Sequence, residues 1–177
     1  MEAIEQGKMT ILGYRDVTAE LIEGTLEFLR KEDVVRGVYI KSREPSNNWE
    51  GEETYKFNSD YQGLQGLVFP RDEIVTLGQK LDIIITKILK ETPITVAAQI
   101  YHDFSSDERI PVRLSKKKEG SFSFLMFTPF VGYIRHKANK SLFNRLKVGD
   151  KVAVKPIHIE KTWETFNVCA KPLKILE

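Results

Sequence analysis

The 177-residue chain is 41% hydrophobic and 29% charged, a composition that fits one ordinary globular domain or two small ones and sets disorder aside. No run approaches the roughly eighteen apolar residues of a membrane span, and the mixed, acidic N-terminal stretch lacks a secretory layout, so a cytoplasmic address is expected and a membrane partner is not. The net charge of +2 hides an asymmetry: residues 1–108 hold 12 Lys and Arg against 20 Asp and Glu, net −8, whereas residues 109–177 hold 15 against 5, net +10.

In chain order, "KMTILGY" reads as a short strand or an ordered arm. Leu21, Ile22, Leu26 and Leu29 recur at helical spacing within Val17–Lys31, with Thr18 as N-cap and Arg30-Lys31 in the last turn, which predicts one amphipathic helix. From Asp33 the period switches to two. "DVVRGVYIKS", "TYKFNSD", "QGLQGLVF", "KLDIIITKIL" and "ITVAAQIYH" predict five strands, the first two joined by the turn-rich "REPSNNWEGEE". With no helix long enough to cover a parallel sheet, these strands predict a small closed antiparallel barrel.

The second half follows the same order. "IPVRLSK", "SFSFLMF", "FVGYIRH", "KVGDKVAVKPIHIE" and "FNVCAKPLKIL" predict five more strands, with "KKEG" as a turn and "KANKSLFNRL" as a turn or two of helix. Set side by side, "GLVFPRDEIVTLGQKLDIIITKI" and "GYIRHKANKSLFNRLKVGDKVAVKPIHI" share a glycine, two apolar residues, a polar excursion and a Gly-polar-Lys entry into an alternating strand. That is an internal repeat with a period of about seventy residues, and it agrees with the charge boundary near residue 108.

Four stretches carry a family likeness. "KEDVVRGVYI" follows a Gly-Asp-Val-Val-x-Gly-x-Val opening with Glu32 in place of the first glycine. "GLVFPRDEI" at Gly66–Ile74 and "GYIRH" at Gly132–His136 follow the family's third-strand runs, and "VGDKVAVKPI" at Val148–Ile157 follows its fourth-strand signature. Together they resemble the S1-type RNA-binding domain, an OB-fold barrel, present as a tandem pair over residues 18–177. The resemblance implies an all-β chain: an arm and helix over 1–31, an acidic five-stranded OB-type barrel over 32–104, and a basic one over 105–177. It also implies that the partner is RNA. Two positions depart from the family: Arg135 stands where its acceptor histidine is usual, and the first repeat's corresponding loop is the acidic "NNWEGEE".

Barrels of this kind hold single strands by stacking bases on exposed aromatic side chains while Lys and Arg meet the phosphates. In "SFSFLMF", alternation sets Phe122, Phe124 and Met126 on one face and Ser121, Ser123, Leu125 and Phe127 on the other, and one set must be core. A phenylalanine in a strand is more often core than surface. Even so, with Phe127, Phe130, Tyr133 and Phe143 added, some rings are expected outside. The candidate interface is therefore Phe122, Phe124 and Tyr133 for stacking, with Arg113, Lys116, Lys117, Lys118, Arg135 and Lys137 for phosphates. The alternative for the lysines is a solvated hairpin turn. Trp163 either stacks on a base or caps a barrel end, and His136 and His158 read first as ordinary surface or core histidines.

No nucleophile elbow, phosphate-binding glycine loop or His-x-x-x-His motif is present, so no enzyme and no cofactor are expected. Cys169 is the single cysteine, which excludes an internal disulfide, and with only His102, His136 and His158 beside it no structural zinc site is expected. Glu50, Glu52 and Glu53 in "WEGEE" could bind a divalent ion, although a solvated loop is the commoner explanation. The expected function is binding of single-stranded RNA, or DNA, mainly by the second barrel, with the acidic first half as a docking module. The competing reading is a protein-protein adaptor whose acidic half docks on a basic protein surface and which makes no nucleic-acid contact.

Overall fold

β-Branched and aromatic residues at alternate positions favour extended backbone because they pack well on a pleated, half-buried surface. The computed structural model describes residues 8–17, 29–44, 53–59, 63–91, 94–105 and 107–176, and the chain is mostly strand. In order come β1 (Lys8–Met9), β2 (Arg15–Val17), β3 (Val34–Glu44), β4 (Thr54–Asn58), β5 (Gln65–Val68), β6 (Lys80–Glu91) and β7 (Ile94–Ile100). They are followed by β8 (Ile110–Arg113), β9 (Lys116–Lys118), β10 (Ser121–Leu125), β11 (Phe130–Arg135), the short helix α1 (Lys140–Phe143), β12 (Lys151–Lys161) and β13 (Phe166–Leu176). Among the described residues no helix is long and apolar enough to cross a membrane.

The chain divides into two units, Met1–Pro70 with Val75–Asp103, and Arg71–Ile74 with Phe104–Glu177. In the first, β3-β4-β5-β7-β6 pair in that order and β6 returns to β3, closing a five-stranded barrel. All its pairings are antiparallel except β5 with β7. Inward positions are apolar, among them Val38, Ile40, Phe57, Ile83 and Val96. The β1–β2 hairpin extends this sheet, with β2 parallel to the start of β3. Beside it Asp33 is buried but fully partnered, by Nε and Nη2 of Arg15 and by the Arg30 amide at 2.8 Å. A buried carboxylate is tolerable only with such partners. The helix expected over Val17–Lys31 lies, for residues 18–28, outside the described residues; Val17 itself ends β2, and Leu29–Lys31, expected in its last turn, are not helical.

In the second unit the six-stranded sheet runs β8-β12-β13-β11-β10-β9, again with one parallel pair, β11 with β13, and among the described residues no strand pairing joins β9 to β8, so this unit is a half-barrel where a closed five-stranded barrel was expected. Its end strands β8 and β9 are consecutive in the chain. Leu114 joins one side of the gap, through hydrogen bonds with Gly149 and Asp150, and Ser115 joins the other, through Ser123. At the far end of β10 the gap is filled by Arg71–Ile74. Asp72 and Ile74 bond to Arg113 and Pro111 of β8, Glu73 bridges to Val112, and Asp72 bonds the Leu125 backbone. This unit therefore takes five residues from outside 105–177, Phe104 as well as Arg71–Ile74. A second difference from expectation is that Lys117 and Lys118 of the expected turn "KKEG" continue from Lys116 as strand: the turn is Glu119-Gly120, where Gly120 supplies the positive φ that other residues resist.

The repeat seen in the sequence is also present in the pairing. Gly66 lies between Phe57 and Val96 on neighbouring strands, as Gly132 lies between Phe124 and Val168. Thr76–Gln79 and Lys147–Asp150 form the same turn, closed by a side-chain acceptor at Gln79 or Asp150. The following amides, Gly78 and Gly149, donate to Ile40 and Leu114.

Candidate nucleic-acid interface

Strand alternation divides the second unit's residues into an inner and an outer set. On β10 the inner set is Phe122 and Phe124, at 0% and 1% exposure, and the outer set is Ser121, Ser123 and Leu125. Tyr133 and Arg135 face outward from β11. Register then assembles two outer rungs: Lys116, Ser123 and Tyr133 in one, continued by Cys169, which is itself buried, and Lys118, Ser121 and Arg135 in the next. Tyr133 is half-buried between Ser123 and Cys169, and both neighbours are too small to cover its ring.

Phe122 and Phe124, expected to stack on bases, are instead core. Gly132 opposite Phe124 leaves room for the ring, since a Cβ there would lie 2.1 Å from it. Phe143 of α1 packs on Phe122 with centroids 5.1 Å apart, and the Lys117 ammonium lies over the same ring at 5.3 Å. Lys117 thus covers a core ring and is not part of the outer rungs. Phe127 and Phe130 are also buried, in a cluster with Phe104 and Phe166. The barrel holds more rings than its size suggested because this cluster extends past the ends of the strands.

Of the expected phosphate contacts, Lys116, Lys118 and Arg135 come together. Arg113 is exposed on β8, at the other edge of the hydrogen-bonded sheet, and Lys137 is exposed in the 3-10 turn after β11. Arg135 is engaged with Glu160, Nη2 to Oε2 at 3.4 Å. His136 packs edge-on against Phe143.

Trp163 caps nothing. It is 100% exposed at the tip of the β12–β13 hairpin, in the Thr162–Thr165 turn, which the Thr162 amide closes on the Thr165 carbonyl at 2.9 Å. No protein-family model matches this chain, and no curated relative matches it. The assignment of a site therefore rests on the geometry.

The corresponding face of the first unit carries different chemistry. Register sets Ser42 beside Lys56 and Glu44 beside Thr54, and the residue after Gly66, matching Tyr133, is Leu67. Glu53 of the acidic loop pairs with Arg43 at 3.4 Å and accepts from the Tyr55 hydroxyl; Glu50 and Glu52 lie outside the described residues.

One outer group of the second unit was not singled out as a site from sequence. His158, Glu160 and Cys169 bring an imidazole nitrogen, a carboxylate oxygen and a thiol sulfur within 4.8 Å of one another. Hydrogen bonds from His158 and Arg135 hold the Glu160 carboxyl below the usual range, and burial pushes the Cys169 thiol up.

Proposed function

We propose that the protein binds single-stranded nucleic acid on the outer face of β9, β10 and β11 in the second barrel. The observation that carries this reading is the rung Lys116–Ser123–Tyr133, with Lys118 beside it. One ring flanked by small residues offers a base a stacking surface, and two ammonium groups on the neighbouring strand stand where its phosphates would run. The strand circuit, with its parallel third-to-fifth pairing, is compatible with that of OB-type barrels, which use this face and the fourth-to-fifth hairpin for oligonucleotides. That hairpin carries the exposed Trp163. The resemblance to S1-type domains favours RNA over DNA, and the acidic first barrel is suited to dock on a basic protein surface.

The test uses the full chain and labelled single-stranded RNA and DNA of equal sequence. Affinity should fall steeply between about 50 and 200 mM salt, and Lys116→Ala and Lys118→Ala should each flatten that slope by up to about one phosphate. Tyr133→Ala or Trp163→Ala should weaken binding about 5- to 150-fold, the equivalent of 1–3 kcal/mol per base, with the slope unchanged. An adaptor with no nucleic-acid contact would show no binding at 50 mM salt, or binding indifferent to all four substitutions.

A further inference from the structure

We propose that His158, Glu160 and Cys169 bind one divalent transition-metal ion of the zinc class on the outside of the second barrel. This assignment does not rest on the nucleic-acid reading. On β12 the buried positions run Val152, Val154, Pro156, so plain alternation would turn His158 inward. A bulge intervenes: Pro156 pairs with Ala170 and His158 with Cys169, leaving Ile157 unpaired and 57% exposed. Bulges re-aim side chains in this way, and the result sets His158 and Glu160 outward beside the chain's single thiol.

The three donors suit such an ion. Thiolate, imidazole and carboxylate are zinc ligands at about 2.0–2.3 Å, which in a tetrahedron separates donor atoms by about 3.3–3.6 Å. His158 Nε2 is now 2.9 Å from Glu160 Oε1, and all three donor atoms lie within 4.8 Å of one another. Side-chain torsions suffice to bring them to bonding positions. Arg135 holds the second carboxylate oxygen, Oε2, which leaves Oε1 turned toward the imidazole; such outer partners orient ligands. Thiolate and carboxylate together offset the ion's two positive charges, and the thiol releases one proton when the ion binds. Three protein donors leave a fourth position open to solvent, as in exchangeable sites and unlike closed structural ones. A thiolate and an imidazole select against magnesium and calcium.

The first barrel is an internal control. It has the same bulge, between Ile85 and Lys87, followed by a second between Ile88 and Lys90, and by pairing partner it carries Lys87, Lys90 and Ala97 where the second unit carries His158, Glu160 and Cys169. The bulge belongs to the shared scaffold, and at these positions the donor set is carried by the second unit and not by the first.

The experiment is titration of chelator-stripped full-length protein with Co²⁺, followed by displacement with Zn²⁺. One equivalent of Co²⁺ should bind with a sulfur-to-cobalt charge-transfer band and the intense d–d bands of four-coordination, and Zn²⁺ should abolish both. Cys169→Ser should remove the charge-transfer band. His158→Ala, at an exposed position that leaves the barrel folded, and Glu160→Gln should each weaken binding at least about tenfold, while Lys87→Ala should leave it unchanged. The proposal is overturned if saturating Co²⁺ gives no thiolate band, or if His158→Ala binds as tightly as the parent chain.

Discussion

In the first barrel the outer rung of the first three strands reads Ser42, Lys56, Leu67; in the second the same positions are Lys116, Ser123 and Tyr133. Turned inward, the second and third of these strands keep Phe57 and Phe124, Gly66 and Gly132, and the parallel neighbour of the third keeps Val96 and Val168. Packing constrains the inner set because each side chain must fit its neighbours across two strands, whereas the outer set is free to change charge and chemistry. The barrels also differ in one backbone detail. Val35 and Val38 pair with Ile83 and Leu81, so Arg36 and Gly37 together oppose one residue, Asp82. This bulge, with Gly37 at positive φ, frees Arg36 to pair with Asp16, Asp82 and Asp103. The second barrel's β8 pairs regularly at this point.

The largest expected effect probes the shared inner set. A Cβ on Gly132 would lie 2.1 Å from the Phe124 ring, and one on Gly66 would lie 2.0 Å from the Val96 carbonyl oxygen. Gly132→Ala and Gly66→Ala should each cost about 3 kcal/mol or more in urea unfolding. Adding Phe124→Leu should recover part of the first loss. No side-chain change should recover the second, because the obstruction there is backbone. Equal rescue of both would break the correspondence at the level of mechanism.

Next comes the Arg36 ionic network of the first barrel. Arg36→Met leaves Asp16, Asp82 and Asp103 facing one another without their cation. With the arginine side chain 31% exposed, the cost should be about 1–3 kcal/mol, below that of a fully buried pair, and smaller in added salt.

The smallest effect is on pH dependence. Burial raises the hydroxyl pKa of Tyr101, with its hydrogen bond to Asp103 adding to the shift, and burial raises those of Tyr14 and Tyr55. A raised pKa means that the unfolded chain loses its proton first. The stability from these groups is therefore intact below their ordinary value of 10.0 and declines above it. In the second barrel the raised group is the Cys169 thiol, whose decline begins near its ordinary 9.0. Hydrogen exchange read separately for the two barrels should show the first weakening more between pH 10 and 11, and Tyr101→Phe should flatten that loss at a neutral-pH cost of about 1 kcal/mol.

Much of this architecture was legible in the sequence. Alternation located the strands of both barrels, the glycine-led repeat matched them to one another, and "KANKSLFNRL" became a 3-10 turn and α1. What was lost depends on distant strands. Period two shows that Phe122 and Ser123 face opposite ways, but which side is inside depends on Gly132, on another strand. Lys117 and Lys118 have the composition of a turn and form a strand with Lys116 because β10 pairs with them. The bulge at Ile157 resets parity, so His158 could not be set beside Cys169 by counting. Nothing in "RDEI" marks Arg71–Ile74 as part of the second unit, since four residues are too few for a period.

That borrowed tetrapeptide governs how the protein can be dissected. A fragment cut at residue 104 would keep every strand of the second barrel yet lack the piece that hydrogen-bonds β8 and the Leu125 amide, leaving a raw seam of the kind that recruits foreign strands. Such a fragment should self-associate on expression. Supplying a peptide that spans Arg71–Ile74 should return it to a monomer.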